Sequence, residues 1–239
     1  MCNYMMCMFL LCLLSLIYIY YESNKKNKHN KLKKYKEKFN NNNIKTQLFD
    51  LKLEMPIKIY DNFINQDECD KLIKLSEGKF IQSSIYESNK GIIDTKSRSS
   101  SNSYFTRGEN NLIKKIENKV SNLLNIKLDQ MEPLQIVKYE KGQEYKYHYD
   151  YFDKNTDENN NQRTNSFLIY LNDLDEKDGG ATHFPLYKFK FYPSKGRAIH
   201  WENMDLDRNL NKLSLHAGQP ILTDNVKYVL TIWTRENSY

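Results

Sequence analysis

Cysteine is almost missing from the part of this 239-residue chain that can fold. Cys2, Cys7 and Cys12 lie in an apolar N-terminus, which leaves Cys69. One thiol cannot close an internal disulfide, and no Cys-x-x-Cys pair offers a zinc site. The fold therefore needs no oxidising compartment, though it does not exclude one. Net charge is missing from the same part. Nine lysines between Tyr21 and Asp50, set against Glu22, Glu37 and Asp50, account for the formal charge of +6. Residues 1 to 20 carry no charged side chain, and the remainder has 27 basic and 27 acidic residues. A neutral folded part gives no reason to expect a nucleic-acid partner, despite the basic pI. Apolar content is modest and no internal repeat is evident. The 18 tyrosines supply aromatic area for a core.

Met5 to Tyr21 is an apolar run broken only by Ser15, close to the shortest length that spans a bilayer. It lacks a charged leading region and a small-residue cleavage site. Residues 1–21 are therefore expected to be an uncleaved transmembrane signal-anchor, with a cleaved signal peptide as the alternative. Residues 22–50, rich in Lys and Asn, are expected to form a basic disordered stalk. Their charge favours a cytoplasmic C-terminal side by the positive-inside rule, whereas a lumenal enzyme needs the opposite. The folded part is expected over 51–239.

Within it, Met55 to Phe63 suggests a first strand. Asn65 can cap a helix over Gln66 to Ser76, with Cys69, Leu72, Ile73 and Leu75 as its apolar stripe and Gly78 past its end. Ser97 to Thr106 reads as loop or strand. A second helix is expected over Asn110 to Leu124, where Leu112, Ile113, Ile116, Val120 and Leu123 recur at helical spacing. Short strands follow at Leu134–Lys138, Ser166–Leu171, Ala181–Phe184, Gly196–Trp201, Lys212–Ala217 and Lys227–Arg235. Helices first and then many strands point to an α+β, mainly β architecture: a jelly roll with the helices packed outside.

Chemistry enters at His148-Tyr149-Asp150. On an extended strand, residues two apart share a face, so an imidazole and a carboxylate can aim at one point. These are two members of the 2-His-1-carboxylate set that holds non-haem Fe(II). Three further histidines compete for the third place, since His29 lies in the lysine-rich stretch. His183 is followed by apolar Phe184 and is expected to face away from the core. His200 lies inside the apolar run Ala198-Ile199-His200-Trp201, either in the core or toward a cavity. His216 lies opposite Leu213 and Leu215 and precedes the turn Ala217-Gly218-Gln219-Pro220. Lys227 opens the strand that follows, sharing a face with Val229, Thr231, Trp233 and Arg235. A histidine near one strand end and a cation starting the next can hold a metal and a metal-bound carboxylic acid together, so His216 is preferred.

Residues 58 to 236 resemble the prolyl 4-hydroxylases of the collagen and plant type. The resemblance rests on the runs Phe63–Ile73, Ser97–Ser100, Gln135–Tyr145, His148–Phe152, Asn161–Arg163, Gly179–Pro185 and Ser214–Ile221, in order and spacing. It implies a double-stranded β-helix (cupin-like) and a peptidyl-proline hydroxylase using Fe(II), 2-oxoglutarate and O2, with L-ascorbate keeping the iron reduced. It implies His148, Asp150 and His216 as iron ligands, with Lys227 on the distal carboxylate of 2-oxoglutarate and Tyr139 in the cosubstrate pocket. Tyr145, Arg163 and Trp233 match positions that line the groove for a proline-rich or collagen-like peptide. Arg235 stands where some members have a groove histidine. Tyr147 replaces a common proline, and Gln219 a frequent cysteine. Lys227 is one residue further from His216 than is usual, so a longer turn near Asp224-Asn225 is expected. The resemblance also suggests a single-pass protein of the endoplasmic reticulum membrane.

Overall fold

The structure, a computed structural model, describes residues 46–48, 57–87, 90–152, 161–205 and 207–239. The expected signal-anchor and nearly all of the stalk lie outside the described residues. The site lies in the unit Gln47–Tyr239.

The strands are β1 (Thr46–Leu48), β2 (Lys58–Tyr60), β3 (Ile81–Gln82), β4 (Ile85–Glu87), β5 (Lys90–Ile92), β6 (Ser101–Phe105) and β7 (Leu134–Tyr139). After them come β8 (Tyr145–His148), β9 (Arg163–Tyr170), β10 (Thr182–Phe184), β11 (Phe189–Phe191), β12 (Ala198–Glu202), β13 (His216–Gly218) and β14 (Lys227–Arg235). An eight-stranded sheet runs β1-β2-β12-β9-β14-β7-β6-β3, and a four-stranded sheet runs β11-β10-β13-β8. β4 and β5 form a separate hairpin. Side chains from both sheets share one core, including Val137, Leu168, Tyr170 and Val229 from the large sheet and Phe184 and Phe191 from the small one. Two β-sheets closing on a common interior are the double-stranded β-helix that the order of elements suggests.

Helix α1 (Gln66–Ser76) begins at Asn65, whose side chain accepts from Glu68 N while the Glu68 carboxylate accepts from Asn65 N. This reciprocal pair satisfies two N–H groups that a helix start would otherwise leave open. Cys69 and Leu72 are its buried stripe. Helix α2 (Asn111–Leu124) is capped by Asn110 and buries Ile113, Ile116 and Val120. Leu75, expected in the stripe of α1, is exposed instead, and Ser76 takes the buried place.

Three expected strands come out shorter or different. The first keeps only Lys58–Tyr60. The fifth begins at Ala198, because Gly196 turns with φ +81. A Cβ there would lie 2.3 Å from the Ile64 carbonyl oxygen, and the Gly196 carbonyl accepts from Phe63 N at 2.7 Å. Lys212–Ala217 is not a continuous strand. Asn211 accepts from Leu213 N at 3.0 Å and winds Lys212–Ser214 into a 3-10 turn, so β13 starts only at His216.

Candidate active site

β8 and β13 bring the two candidate histidines together, with His216 directly opposite His148. Asp150 follows two residues past His148, beyond the strand end. The alternation argument therefore gave the right pairing, although Asp150 is placed by the turn after the strand. Ligand atoms of His148, Asp150 and His216 all lie within 4.8 Å of one another. His148 Nε2 is 3.5 Å from Asp150 Oδ1, and His216 Nε2 is 3.7 Å from Asp150 Oδ2.

Backbone carbonyls fix the tautomers. His148 Nδ1 is 2.7 Å from Lys146 O, and His216 Nδ1 is 2.9 Å from Ser214 O. A carbonyl only accepts, so Nδ1 carries a proton in each ring and Nε2 turns to the cluster. Burial, with repulsion from His148, pushes His216 down to about 4. For Asp150, burial raises the carboxyl, but His216, His148 and Arg163 outweigh it and hold it well below the usual carboxylate range. At neutral pH the set is a neutral His216 imidazole, His148 with its Nε2 turned inward and an anionic carboxylate, which is a donor set for one divalent iron. His183 and His200 stand apart. His183 Nδ1 is 2.6 Å from the hydroxyl of the exposed Tyr147. His200 is 2 % exposed in the core, with Nε2 2.9 Å from Asn165 Oδ1.

A second layer steadies the carboxylate. Ser166 Oγ donates to Asp150 Oδ2 at 2.5 Å and receives the Asn203 amide at 2.9 Å. The sequence reading missed both residues. The available signal was Ser166 itself, a small hydroxyl leading an apolar strand. Ser166→Ala is expected to weaken metal affinity about tenfold to a hundredfold, because the carboxylate loses its orienting donor. Titration of the purified variant with Fe(II) under anaerobic conditions checks this, and an unchanged affinity would count against it.

Behind the cluster a pocket is lined by Val137, Tyr139, Leu168, Trp201, Lys227 and Val229, with Thr182, Thr231 and Trp233 on its walls. Lys227 pairs across the sheet with Tyr139, and its ammonium lies 5.0 Å from that ring. The side chain is 1 % exposed, and among the described residues no carboxylate comes within ion-pair distance of it. Burial alone pushes it down to about 7. A buried, unpartnered cation is costly unless an anion joins it, so the pocket fits a dicarboxylic acid reaching from the metal cluster to Lys227. The turn before Lys227 is anchored. Asp178 Oδ1 accepts from Thr223 Oγ1 at 2.9 Å and from Asn225 Nδ2 at 3.0 Å. Asp178→Ala should loosen that turn and raise KM for 2-oxoglutarate about threefold to tenfold, two hydrogen bonds being worth roughly 1–2 kcal/mol here. Steady-state kinetics would show it, with kcat little changed.

At the mouth, the Tyr145 ring stacks on His148 with centroids 3.4 Å apart, and burial pushes its phenol up to about 12. Trp233 lines the pocket, and Arg163 lies over its ring at 3.8 Å. Arg163 and Arg235 do not line the pocket. Both bond to Glu132, Arg163 through two contacts of 2.6 and 2.7 Å and Arg235 at 2.5 Å. Arg235 thus stands one layer further out than the sequence suggested. Arg98, present in the quoted run but given no role there, covers the other side of Tyr145 at 4.8 Å.

The match to known proteins agrees with this geometry. Residues 134–235 match the 2OG-Fe(II) oxygenase superfamily, and the chain is a 2-oxoglutarate-dependent dioxygenase of that superfamily. Within it the chain belongs to the prolyl 4-hydroxylases. It is 33% identical over 202 residues to probable prolyl 4-hydroxylase 3 of Arabidopsis thaliana, covering 76% of this chain and 69% of the relative. Among solved structures it is similar to the viral collagen prolyl hydroxylase of Paramecium bursaria Chlorella virus-1 in complex with 2-oxoglutarate. That similarity has a TM-score of 0.60 at 32% identity and covers 75% of this chain and 95% of the other. A Trichoplax adhaerens prolyl hydroxylase shares the fold at TM-score 0.56 and 18% identity, over 74% of this chain and 81% of that one.

Proposed function

We propose that the chain hydroxylates prolyl residues at C4 in proline-rich or collagen-like peptides, with His148, Asp150 and His216 as the iron ligands. One observation carries this. Three convergent donors and a buried ammonium line one mostly apolar pocket, and among the described residues that ammonium has no carboxylate counter-ion. Lys227 pairs with the distal carboxylate of 2-oxoglutarate by a charge-assisted bond. Tyr139 forms the wall beside it, and Val137, Leu168 and Val229 exclude water. Tyr145 and Trp233 line the pocket beside the metal cluster, where a prolyl ring would sit, and a polyproline II segment presents such rings with no internal hydrogen bonds to break. Arg163 braces Trp233, and Arg235 braces Glu132 behind it. When bound, Fe(II) with 2-oxoglutarate and O2 supplies the oxidation: one oxygen atom enters the substrate C–H bond, the other enters succinate, and CO2 leaves. The protein's part is orientation and dryness. L-Ascorbate would keep the iron ferrous.

Incubation with a proline-rich peptide, a collagen-like repeat and a lysine-bearing collagen peptide, read by mass spectrometry, tests the substrate. One added oxygen on proline with matching succinate is expected. Oxygen added only to lysine would overturn the assignment. The apolar run Met5–Tyr21 and the lysines after it support a further part of the proposal, a single-pass anchor in the endoplasmic reticulum membrane. Protease protection of intact microsomes tests its orientation.

A further inference from the structure

β8 and β13 are out of step. His216 faces His148 and Gly218 faces Tyr145, so three steps along β8 match two along β13. An extra residue of this kind re-aims the side chains around it. Here it puts the Tyr145 and His148 rings on the same side of the strand, stacked within 15° of parallel. Without the bulge, residues three apart would point to opposite faces. The aim of His148 thus depends on holding the bulge at Lys146-Tyr147 in place.

Tyr147 points away from the pocket and is 51 % exposed. Its hydroxyl is 2.6 Å from His183 Nδ1, and the two rings meet at 61°. His183 lies on β10, two strands away, with β13 between. Directly opposite His183 on β13 is Ala217, 5 % exposed. Its methyl is small enough for two aromatic rings to meet above it. Thr182 lines the pocket and Phe184 stacks on His216, so His183 between them faces outward, as the sequence indicates. Burial and the charge of Lys190 hold His183 below its ordinary value.

We propose that Tyr147 and His183 form a positioning clamp for His148, tying the bulge of β8 to β10 across Ala217 on the outer face of the small sheet. It rests on His148 being a metal ligand, the reading argued above. The clamp touches neither substrate nor metal. It acts by restricting the backbone on the residue before His148.

The test uses the full chain, with Co(II) as an optical probe of the metal site and Fe(II) for turnover. Tyr147→Phe keeps the ring and removes the hydroxyl. It should weaken Co(II) binding about threefold to tenfold, the scale of one net hydrogen bond, and shift the visible Co(II) bands. His183→Ala should do the same, and the double variant should be no worse than either single one. His183→Asn, which keeps an acceptor near the Nδ1 position, should restore part of the affinity. KM for 2-oxoglutarate should stay within twofold in every variant, since Lys227 is untouched. Unchanged Co(II) affinity and bands in Tyr147→Phe, or additive losses in the double variant, would overturn the clamp. Failure of the underlying metal reading is distinguishable, because the unaltered chain would then give no Co(II) signal that His216→Ala removes.

Discussion

Lys227→Met should raise KM for 2-oxoglutarate by two to three orders of magnitude and, at the same time, make the ligand-free protein more stable. The two effects have one cause. Losing one partner of a buried charge pair costs about 3–5 kcal/mol, which here falls on the bound keto acid. Without that acid the same ammonium is 1 % exposed, with no carboxylate at hand among the described residues, and it weighs against folding. Burial lowers it from 10.5 to about 7. Between these values the unfolded chain binds more protons than the folded one, so stability of the ligand-free protein rises with pH across that window. Below about pH 7 the full cost applies, on the order of 4–5 kcal/mol at 1.36 kcal/mol per unit. Chemical denaturation at pH 6.5 and pH 9.5 would show the variant's advantage shrinking as pH rises. Adding 2-oxoglutarate should stabilise the unaltered protein by mass action and leave the variant unmoved. A variant that keeps its KM, or is less stable at pH 6.5, would remove Lys227 from the cosubstrate site.

The parts of this site legible in the sequence are those with a local period or a motif of fixed spacing. Helix α1 was readable from Asn65 and the apolar residues behind it, and α2 from its apolar period. His148 and Asp150 were readable because two positions apart on extended backbone nearly share a face. Lys227 was readable as a charge opening an otherwise apolar strand. What escaped depends on long-range contact. Ser166 and Asn203 are 37 positions apart and meet only when β9 and β12 pair. The bond from Arg235 to Glu132 joins residues 103 positions apart. Lys212–Ala217 has a strand-like composition, yet the side chain of Asn211 satisfies Leu213 N and turns the backbone first. In each case a single tertiary or capping bond decides between conformations that local preference leaves nearly equal.

His200→Ala and His216→Ala form a matched pair for the metal site. Both imidazoles are buried, and burial lowers both below the ordinary histidine value. Size and burial therefore predict similar losses of stability, about 1–3 kcal/mol for a cavity of this kind. Surroundings separate them. His200 packs beside Phe167 at 5.8 Å and bonds to Asn165, and it belongs to no metal-binding cluster among the described residues. His216 packs between Trp201 and Phe184 at 4.7 and 5.6 Å but turns its Nε2 to Asp150. His216→Ala should therefore lose turnover by at least about a thousandfold, since a site with three protein ligands retains only two. Its Fe(II) affinity should fall with it, and added imidazole can fill the cavity and return part of both. His200→Ala should unfold at lower denaturant yet bind Fe(II) and consume 2-oxoglutarate nearly as before. Equal losses of metal in both variants would mean that affinity follows general stability, and the reverse order would move the iron to the other side of β12.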